Sequence, residues 1–257
     1  MIECDVFLKS KRKIAKDVYE LEFATEHLPD IQCGQFVNLS VPDRFDLTLK
    51  RPFGIFGYDS ANNTFKVGIT VVGQGTNALV NMRKNEKISA TLPLGNGFIL
   101  NSNHKKVVLL GGGAGIFPLL AVYQNYPKSK FYTFLGFKDK AHACLINEFQ
   151  SVSESINIST DNGSLGYCGY ITDLLKEDLD KIKPDIILAC GPVGMFRALK
   201  KVVMDKDIEV KISIEERMGC GIGACLVCAC KIQEGGAIHN KRVCKDGPVF
   251  DLGEVIL

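Results

Sequence analysis

The sequence lacks a strong excess of charge of either sign, and it lacks a long apolar run. Its 257 residues include 31 basic and 29 acidic side chains, which leaves a formal net charge of +2. No basic stripe stands out, so we expect no nucleic-acid partner. No apolar run reaches the roughly 18 residues of a membrane span, so we expect no membrane association. Because no apolar signal stretch follows Met1, we expect a cytoplasmic protein with reduced cysteines.

The sequence also lacks a recognisable catalytic set. We find no Ser/His/Asp arrangement and no paired-carboxylate site, so no residue is assigned a catalytic role. The histidines are few and scattered, and we expect all of them at the surface: His27, His104, His142 and His239.

Cysteine, in contrast, is abundant, with ten residues in the chain. Cys220, Cys225, Cys228 and Cys244 read C-x4-C-x2-C, followed by a longer excursion and a fourth cysteine, which is the ligand spacing of a plant-type [2Fe–2S] centre. The small residues beside the first two cysteines, Gly219, Gly221, Gly223 and Ala224, would let backbone N–H groups approach the sulfur atoms closely. We therefore predict an iron–sulfur cluster in this segment, and with it single-electron transfer.

Other readings of the cysteines are less favoured. A structural zinc site usually has paired C-x2-C units, and only one such unit is present. Cys230 could replace Cys244 as the fourth ligand, but it follows Cys228 too closely, and we choose Cys244. Four others are expected to be small buried apolar groups: Cys4, Cys33, Cys144 and Cys168.

The pattern of elements predicts an α+β protein of three units. Residues 1–100 read as short strands separated by turns, which is typical of a small antiparallel β-barrel. Residues 101–210 alternate continuous apolar runs with helical stretches, which predicts a doubly wound α/β domain. Residues 211–257 are too few to fold without a staple, and the predicted metal centre would supply one.

Two turns in the α/β unit suggest a nucleotide site. The first contains Gly111, Gly112, Gly113 and Gly115, between a strand and a helix, where backbone N–H groups can approach a pyrophosphate. The second is the sequence Cys190-Gly191-Pro192, also at the end of a buried strand. Both would lie at the carboxyl edge of the sheet, where such domains bind ligands. By residue statistics alone, Cys190 would be a packing cysteine.

Three short segments of the barrel unit suit a second nucleotide. Arg51 could neutralise a phosphate, and Phe53 could pack on a flat group. A Gly/Thr turn that enters a short helix could bind a pyrophosphate through its N–H groups and a hydroxyl. The segments comprise Arg51, Pro52, Phe53 and Gly54, then Gly68, Ile69 and Thr70, then Gly75 and Thr76.

Taken in order, these motifs resemble the ferredoxin–NADP reductase superfamily. The order is R-P-x-x, G-x-G-T, G-G-G-x-G-x-x-P and C-G-P. The C-terminal E-R-M-G-C-G-x-G-A-C-x-x-C and V-C-x-D-G-P-V-F narrow the match. Over essentially its whole length the chain resembles the electron-transfer subunits of NAD-dependent (class 1B) dihydroorotate dehydrogenases.

The resemblance implies a function in pyrimidine biosynthesis and three cofactors. The barrel residues named above would hold FAD, and the two turns of the α/β unit would face NAD. Electrons would pass between NAD, FAD and the cluster. One departure is Gly54, where the family more often has serine, so only the backbone could contact flavin N5.

The resemblance also implies a partner. In that family dihydroorotate is oxidised on an FMN-bearing (β/α)8 barrel, which needs about 250 residues by itself. A separate catalytic subunit is therefore expected, in a heterotetramer of two copies of each chain. Two alternatives remain open: a subunit of another complex, such as a hydrogenase or an electron-bifurcating ferredoxin–NADP reductase, and a zinc-stapled nucleotide-binding module.

Overall fold

The computed structural model describes residues 1–42, 44 and 46–257. The N-terminal part is an antiparallel barrel, closed in the order β1-β2-β5-β4-β3-β6. Alternate residues of its strands, such as Leu21 and Phe23 of β2, fill one interior core. Its elements are β1 (Ile2–Ala15), β2 (Val18–Ala24), β3 (Phe36–Leu39), β4 (Arg51–Asp59), β5 (Thr64–Thr70), α1 (Gln74–Asn81) and β6 (Lys87–Leu94).

The rest of the chain is built on a seven-stranded sheet of order β10-β9-β8-β7-β11-β12-β15. Its strands are parallel except for β15, which pairs antiparallel with β12. A separate hairpin is formed by β13 and β14. The elements are β7 (Lys106–Gly112), α2 (Ile116–Asn125), β8 (Lys130–Phe137), α3 (Ile146–Gln150), β9 (Ser155–Thr160), β10 (Tyr167–Cys168), α4 (Ile171–Ile182), β11 (Ile186–Cys190), α5 (Val193–Val203), β12 (Glu209–Ser213), β13 (Ala229–Glu234), β14 (Ala237–Arg242) and β15 (Val249–Asp251).

Helices cover both faces of this sheet. Helices α2 and α3 pack on one face, and α4 and α5 pack on the other. The central strands are buried on both sides, which explains why β11 reads as a continuous apolar run. The barrel followed by a doubly wound α/β unit confirms the predicted fold class. The unit boundaries at residues 100 and 210 remain a prediction.

The cysteine-bearing segment leaves the sheet after β12 and returns to it as β15. Between them lie the loop with Cys220, Cys225 and Cys228, the hairpin, and the turn with Cys244. Strand β15 therefore anchors the far end of this segment to the α/β core. Asn96, in the loop after β6, anchors it to the barrel: its Nδ2 donates to the carbonyls of residues 246 and 249, at 3.0 and 3.3 Å.

Two expectations about single residues are wrong. His104 is buried, not at the surface, and its Nε2 lies 3.2 Å from a carboxylate oxygen of Glu209. Cys168 is exposed, not buried. It ends the short strand β10 at the edge of the sheet, where no further strand of the described chain covers it. No helix in the described part of the chain has the length and apolar character to cross a membrane.

Candidate cofactor sites

The first two cysteines of the motif lie together in a loop of backbone donors. The Cys220 sulfur accepts hydrogen bonds from the N–H groups of Ile222, Ala224 and Cys225, at 3.5, 3.3 and 3.4 Å. The N–H of Cys220 in turn donates to the Cys225 sulfur at 3.4 Å. Burial alone raises the pKa of the Cys220 thiol, but these hydrogen bonds outweigh it and lower the pKa to about 6. The loop therefore favours a thiolate, the form that binds metal.

The other two cysteines form a second, buried pair. The N–H of Cys244 donates to the Cys228 sulfur at 3.4 Å. Burial, reinforced by the neighbouring Cys228, raises the pKa of Cys244 to about 12. A bound metal would reverse this shift, because its positive charge deprotonates a coordinating thiol.

The two pairs suit a two-iron cluster better than a single metal ion. A tetrahedral zinc site needs four ligands around one point, whereas a [2Fe–2S] centre distributes four thiolates over two irons. The four residues thus fit the predicted cluster.

Cys230 has a different environment. It lies on β13 opposite Lys241, and with Ile232 it faces the hydrophobic core. Burial raises its pKa to about 11. Its own backbone N–H partly offsets this rise, whereas three separate N–H groups donate to the Cys220 sulfur. This supports Cys244 as the fourth ligand, which remains a prediction.

An ion pair that the sequence analysis missed holds the two cysteine segments together. Arg242 donates from Nε and Nη2 to the two carboxylate oxygens of Asp246, both at 2.9 Å. Its Nη1 donates to the Gly223 carbonyl of the first loop at 3.2 Å. The hydrogen bonds from Arg242 lower the pKa of Asp246 to about 2. We name Arg242 and Asp246 the clasp.

The glycines of the first loop are required for different structural reasons. A Cβ atom on Gly219 would lie 3.1 Å from the Cys225 sulfur, as close backbone approach requires. A Cβ atom on Gly223, in contrast, would lie 2.7 Å from the Lys245 side chain. The Gly223 backbone also donates a hydrogen bond to the Cys244 thiol, which lowers the pKa of that thiol, so both glycines let the backbone approach a sulfur atom.

The start of α1 in the barrel unit is a candidate anion site. The Arg51 Nε lies 2.9 Å from where a Cβ atom on Gly75 would be. The first backbone hydrogen bond of the helix is donated by Asn77 to Gly73, so the preceding N–H groups are available to a ligand. The Thr76 hydroxyl is used differently from our expectation, since it accepts from the N–H of Gly73 at 3.1 Å. A cation beside helix N–H groups fits a pyrophosphate.

Two barrel glycines are explained by the α/β unit. A Cβ atom on Gly54 would lie 2.7 Å from the Cγ atom of Pro118, and one on Gly68 would lie 2.4 Å from the ring of Phe117. Both partners belong to α2, so these glycines allow the helix to approach the barrel. Helix α2 therefore forms one wall of the region between the two units.

The remaining barrel residues lie on two faces. Pro52 and Gly54 alternate with Phe53 along β4, and they face outward. Phe53 is half-buried against the barrel core. Ile69 lies within that core, and Thr70 is half-buried at the end of β5. Their assignment to FAD remains a prediction.

The carboxyl edge of the sheet holds a cleft of about 780 Å³, a typical size for a ligand pocket. Its wall includes Gly112, Gly113, Gly115, Gly191 and Pro192. The two turns meet there: a Cβ atom on Gly115 would lie 2.3 Å from the backbone oxygen of residue 190. These residues line a cleft that fits a nucleotide, and their assignment to NAD remains a prediction.

Gly111 and Cys190 lie beneath the cleft. They are ladder partners in β7 and β11, and both are buried. Burial, followed by the nearby Glu215 carboxylate, raises the pKa of the Cys190 thiol. Glu215 itself opens onto the cleft, but the protein atoms around it desolvate its carboxyl and raise its pKa.

Further cleft residues were not predicted from the sequence. Tyr170, which precedes α4, and Asp161, which follows β9, both line it. Lys138, which follows β8, also lines it. The signal for all three was their place just after a strand or just before a helix at the carboxyl edge.

The fold and these sites define a class of protein. The chain is similar to the NADH-dependent reduced ferredoxin–NADP oxidoreductase studied for flavin-based electron bifurcation, with a TM-score of 0.84, 27% identity, and coverage of 97% of this chain and 89% of that one. It also has the fold of phthalate dioxygenase reductase, with a TM-score of 0.66, 17% identity, and coverage of 93% and 76%. The class is that of the ferredoxin–NADP reductase-like proteins.

Sequence comparison then identifies the family. Residues 215–256 match the iron–sulfur cluster binding domain of dihydroorotate dehydrogenase B. The chain is 37% identical over 247 residues to the electron transfer subunit of dihydroorotate dehydrogenase B (NAD(+)) from Caldanaerobacter subterraneus subsp. tengcongensis, covering 96% of each. It is 35% identical over 259 residues to that of Bacillus cereus (strain B4264), covering 98% of each. The chain belongs to the family of dihydroorotate dehydrogenase B electron transfer subunits.

Proposed function

We propose that this chain transfers electrons between NAD and the catalytic subunit of a dihydroorotate dehydrogenase, in pyrimidine biosynthesis. It uses FAD, a [2Fe–2S] cluster and NAD(H). The observation that carries the proposal is the paired arrangement of Cys220 with Cys225 and of Cys228 with Cys244, in a chain similar to these subunits from end to end.

Different residues of the chain would serve the three cofactor sites. The four cysteines would ligate the cluster, with the clasp and the loop N–H groups holding their segments in place. Arg51 and the start of α1 would bind the FAD pyrophosphate, and the cleft beside Gly112 and Pro192 would bind NAD(H). A bound flavin exchanges electrons in pairs with a nicotinamide and singly with an iron–sulfur cluster, which is the chemistry this arrangement requires.

The surface around the cluster loop supports a partner at this position. Ile222, Leu226 and Val227 are exposed there, at 44%, 63% and 58%. Leu226 is held at φ 59°, which is costly for a side chain with a Cβ atom. Exposed apolar groups around an electron-transfer site suit a protein interface. We propose that an FMN-containing catalytic subunit binds here, with two copies of each chain in the complex.

We also propose that the complex is cytoplasmic. Four thiolate ligands favour a reducing compartment, where disulfides do not compete. Fractionation of cells, with the chain found in the cytosolic fraction, tests this location.

Spectroscopy tests the cofactors. The protein purified anaerobically should show flavin and iron–sulfur absorption, and after reduction it should give the electron paramagnetic resonance signal of a reduced two-iron centre. A colourless protein, or a reduced protein without that signal, would contradict the proposal. Comparison of the oxidation rates of NADH and NADPH would establish the preferred nucleotide.

Affinity purification tests the partner. The chain should recover an FMN-containing dihydroorotate dehydrogenase subunit, and L226D should weaken that recovery. M204D is the matched control, because Met204 is also an exposed apolar residue. It lies between α5 and the start of β12, whereas the cluster loop follows the end of β12. Recovery of a hydrogenase subunit instead would show that the chain serves a different complex.

A further inference from the structure

Asn38 is a buried polar residue whose hydrogen bonding is incomplete. It lies on β3, between β4 and β6, and is only 2% exposed. Its Oδ1 atom has no hydrogen-bond partner among the described residues. Buried polar groups are nearly always paired, because an unpaired one loses its hydration without compensation. Asparagine is also a poor strand residue, so packing alone does not explain its presence.

The register of the strands places Asn38 beside the predicted flavin segment. Asn38 is directly opposite Pro52 on β4. Side chains of directly opposed residues lie on the same face of a sheet. Val37 and Leu39, its neighbours in sequence, point into the barrel core. Asn38 therefore faces outward, on the same side as Pro52 and Gly54, which is the side that α2 covers.

The same side chain touches the cluster loop. A Cβ atom on Gly221 would lie 1.9 Å from Asn38 Nδ2 and 3.6 Å from Asn38 Oδ1. The amide nitrogen is thus turned toward the residue that follows Cys220, and the oxygen is turned away from it. Asn38 lies between the segment assigned to FAD and the loop assigned to the cluster.

We propose that Asn38 positions the flavin, by accepting a hydrogen bond at Oδ1 from the isoalloxazine N–H or a ribityl hydroxyl. The inference rests on the proposed function, since it requires FAD on this face of the barrel. It explains why a polar side chain is present at a site where leucine would fill a similar volume without an unpaired atom. It also makes one residue contact both the flavin and the cluster loop.

Asn38→Leu tests this in the full-length chain with its cluster intact, prepared with FAD and with FAD removed. Without FAD, the variant should unfold at the same temperature as wild type or higher, because it removes an unpaired buried group. The dissociation constant of FAD should rise about tenfold, equivalent to ~1.4 kcal/mol. The electron paramagnetic resonance signal of the reduced cluster should be unchanged.

Thr133→Val is the matched control. Thr133 is also buried, but its hydroxyl is fully paired, with Tyr123 at 2.7 Å and Ser153 at 2.8 Å. This variant should lower the unfolding temperature of both preparations and leave FAD affinity unchanged. If Asn38→Leu does the same, Asn38 is structural and the inference is wrong.

A second variant covers the case in which Asn38→Leu does not fold. Asn38→Ser shortens the side chain, so that its oxygen cannot reach the same point, and it should raise the FAD dissociation constant by a similar factor. Unchanged affinity in Asn38→Ser would overturn the inference. Failure of the wild-type chain to bind FAD would instead contradict the proposed function, so the two failures are distinguishable.

Discussion

Replacement of Gly221 by alanine should displace the cluster loop from the barrel. Gly221 has φ 70°, a conformation that costs a residue with a Cβ atom about 1–2 kcal/mol. The new methyl group would also lie 1.9 Å from Asn38 Nδ2, well inside van der Waals contact. Overpacking of this kind costs about 1–3 kcal/mol. We therefore expect a total loss of about 2–5 kcal/mol, concentrated next to the first cluster ligand.

Gly235→Ala separates the cost of the backbone conformation from the cost of the overlap with Asn38. Gly235 has φ 59°, so the backbone cost is similar, but a Cβ atom there would meet nothing within 4 Å. It lies in the turn between β13 and β14, away from the cysteines. This variant should lose only about 1–2 kcal/mol and should keep its iron.

The assay is anaerobic urea unfolding, together with the iron content of each purified variant. Gly221→Ala should unfold at lower urea than Gly235→Ala and should lose most of its iron. Adding Asn38→Ala to Gly221→Ala should restore part of the stability, because it removes the overlap but not the backbone strain. Equal midpoints and full iron content in Gly221→Ala and Gly235→Ala would refute the contact between the barrel and the cluster loop.

Three further outcomes are expected. Cys244→Ser should lose the cluster while Cys230→Ser keeps it, and full iron content in Cys244→Ser would show that the fourth ligand is wrong. Asp246→Asn should lower the free energy of unfolding by about 1 kcal/mol, after allowance for solvent screening of its pair with Arg242. Because the folded pKa of Asp246 is about 2, below its unfolded value of about 3.9, that stabilisation is complete above about pH 5 and is lost only as pH falls toward 2. The difference should therefore be constant from pH 8 to pH 6, and a difference that shrinks over this range would contradict the assignment. Gly115→Ala, which would place a methyl group 2.3 Å from a carbonyl oxygen of β11, should raise the KM for NADH at least several-fold while flavin and iron contents stay unchanged.

Local pattern was enough to predict the iron–sulfur centre and to propose its first three ligands. Cys220, Cys225 and Cys228 lie within one short loop, so their spacing alone restricts the metal chemistry. The apolar runs likewise predicted the buried strands β7 and β11. The predictions for Cys168 and His104 were wrong, because the residues next to them in sequence do not indicate which parts of the chain cover them.

The glycines show what such reasoning leaves out. Gly54 and Gly68 were assigned to the flavin site, which remains a prediction, and in the structure they also make room for Pro118 and Phe117 of α2. The absence of a side chain indicates only that some other group lies close to the backbone there. Which group comes close depends on how the two units pack against each other.

The sequence by itself determined the fold class and the cofactors, and it led to a proposed set of cluster ligands, because each of these rests on motifs that can be recognised in short stretches of the chain. Only the tertiary structure decided that the clasp links the two cysteine segments and that Asn38 lies between the barrel and the cluster loop. These contacts join residues far apart in sequence, and such proximity follows from the closure of the barrel and the return of the chain through β15, which no local spacing encodes.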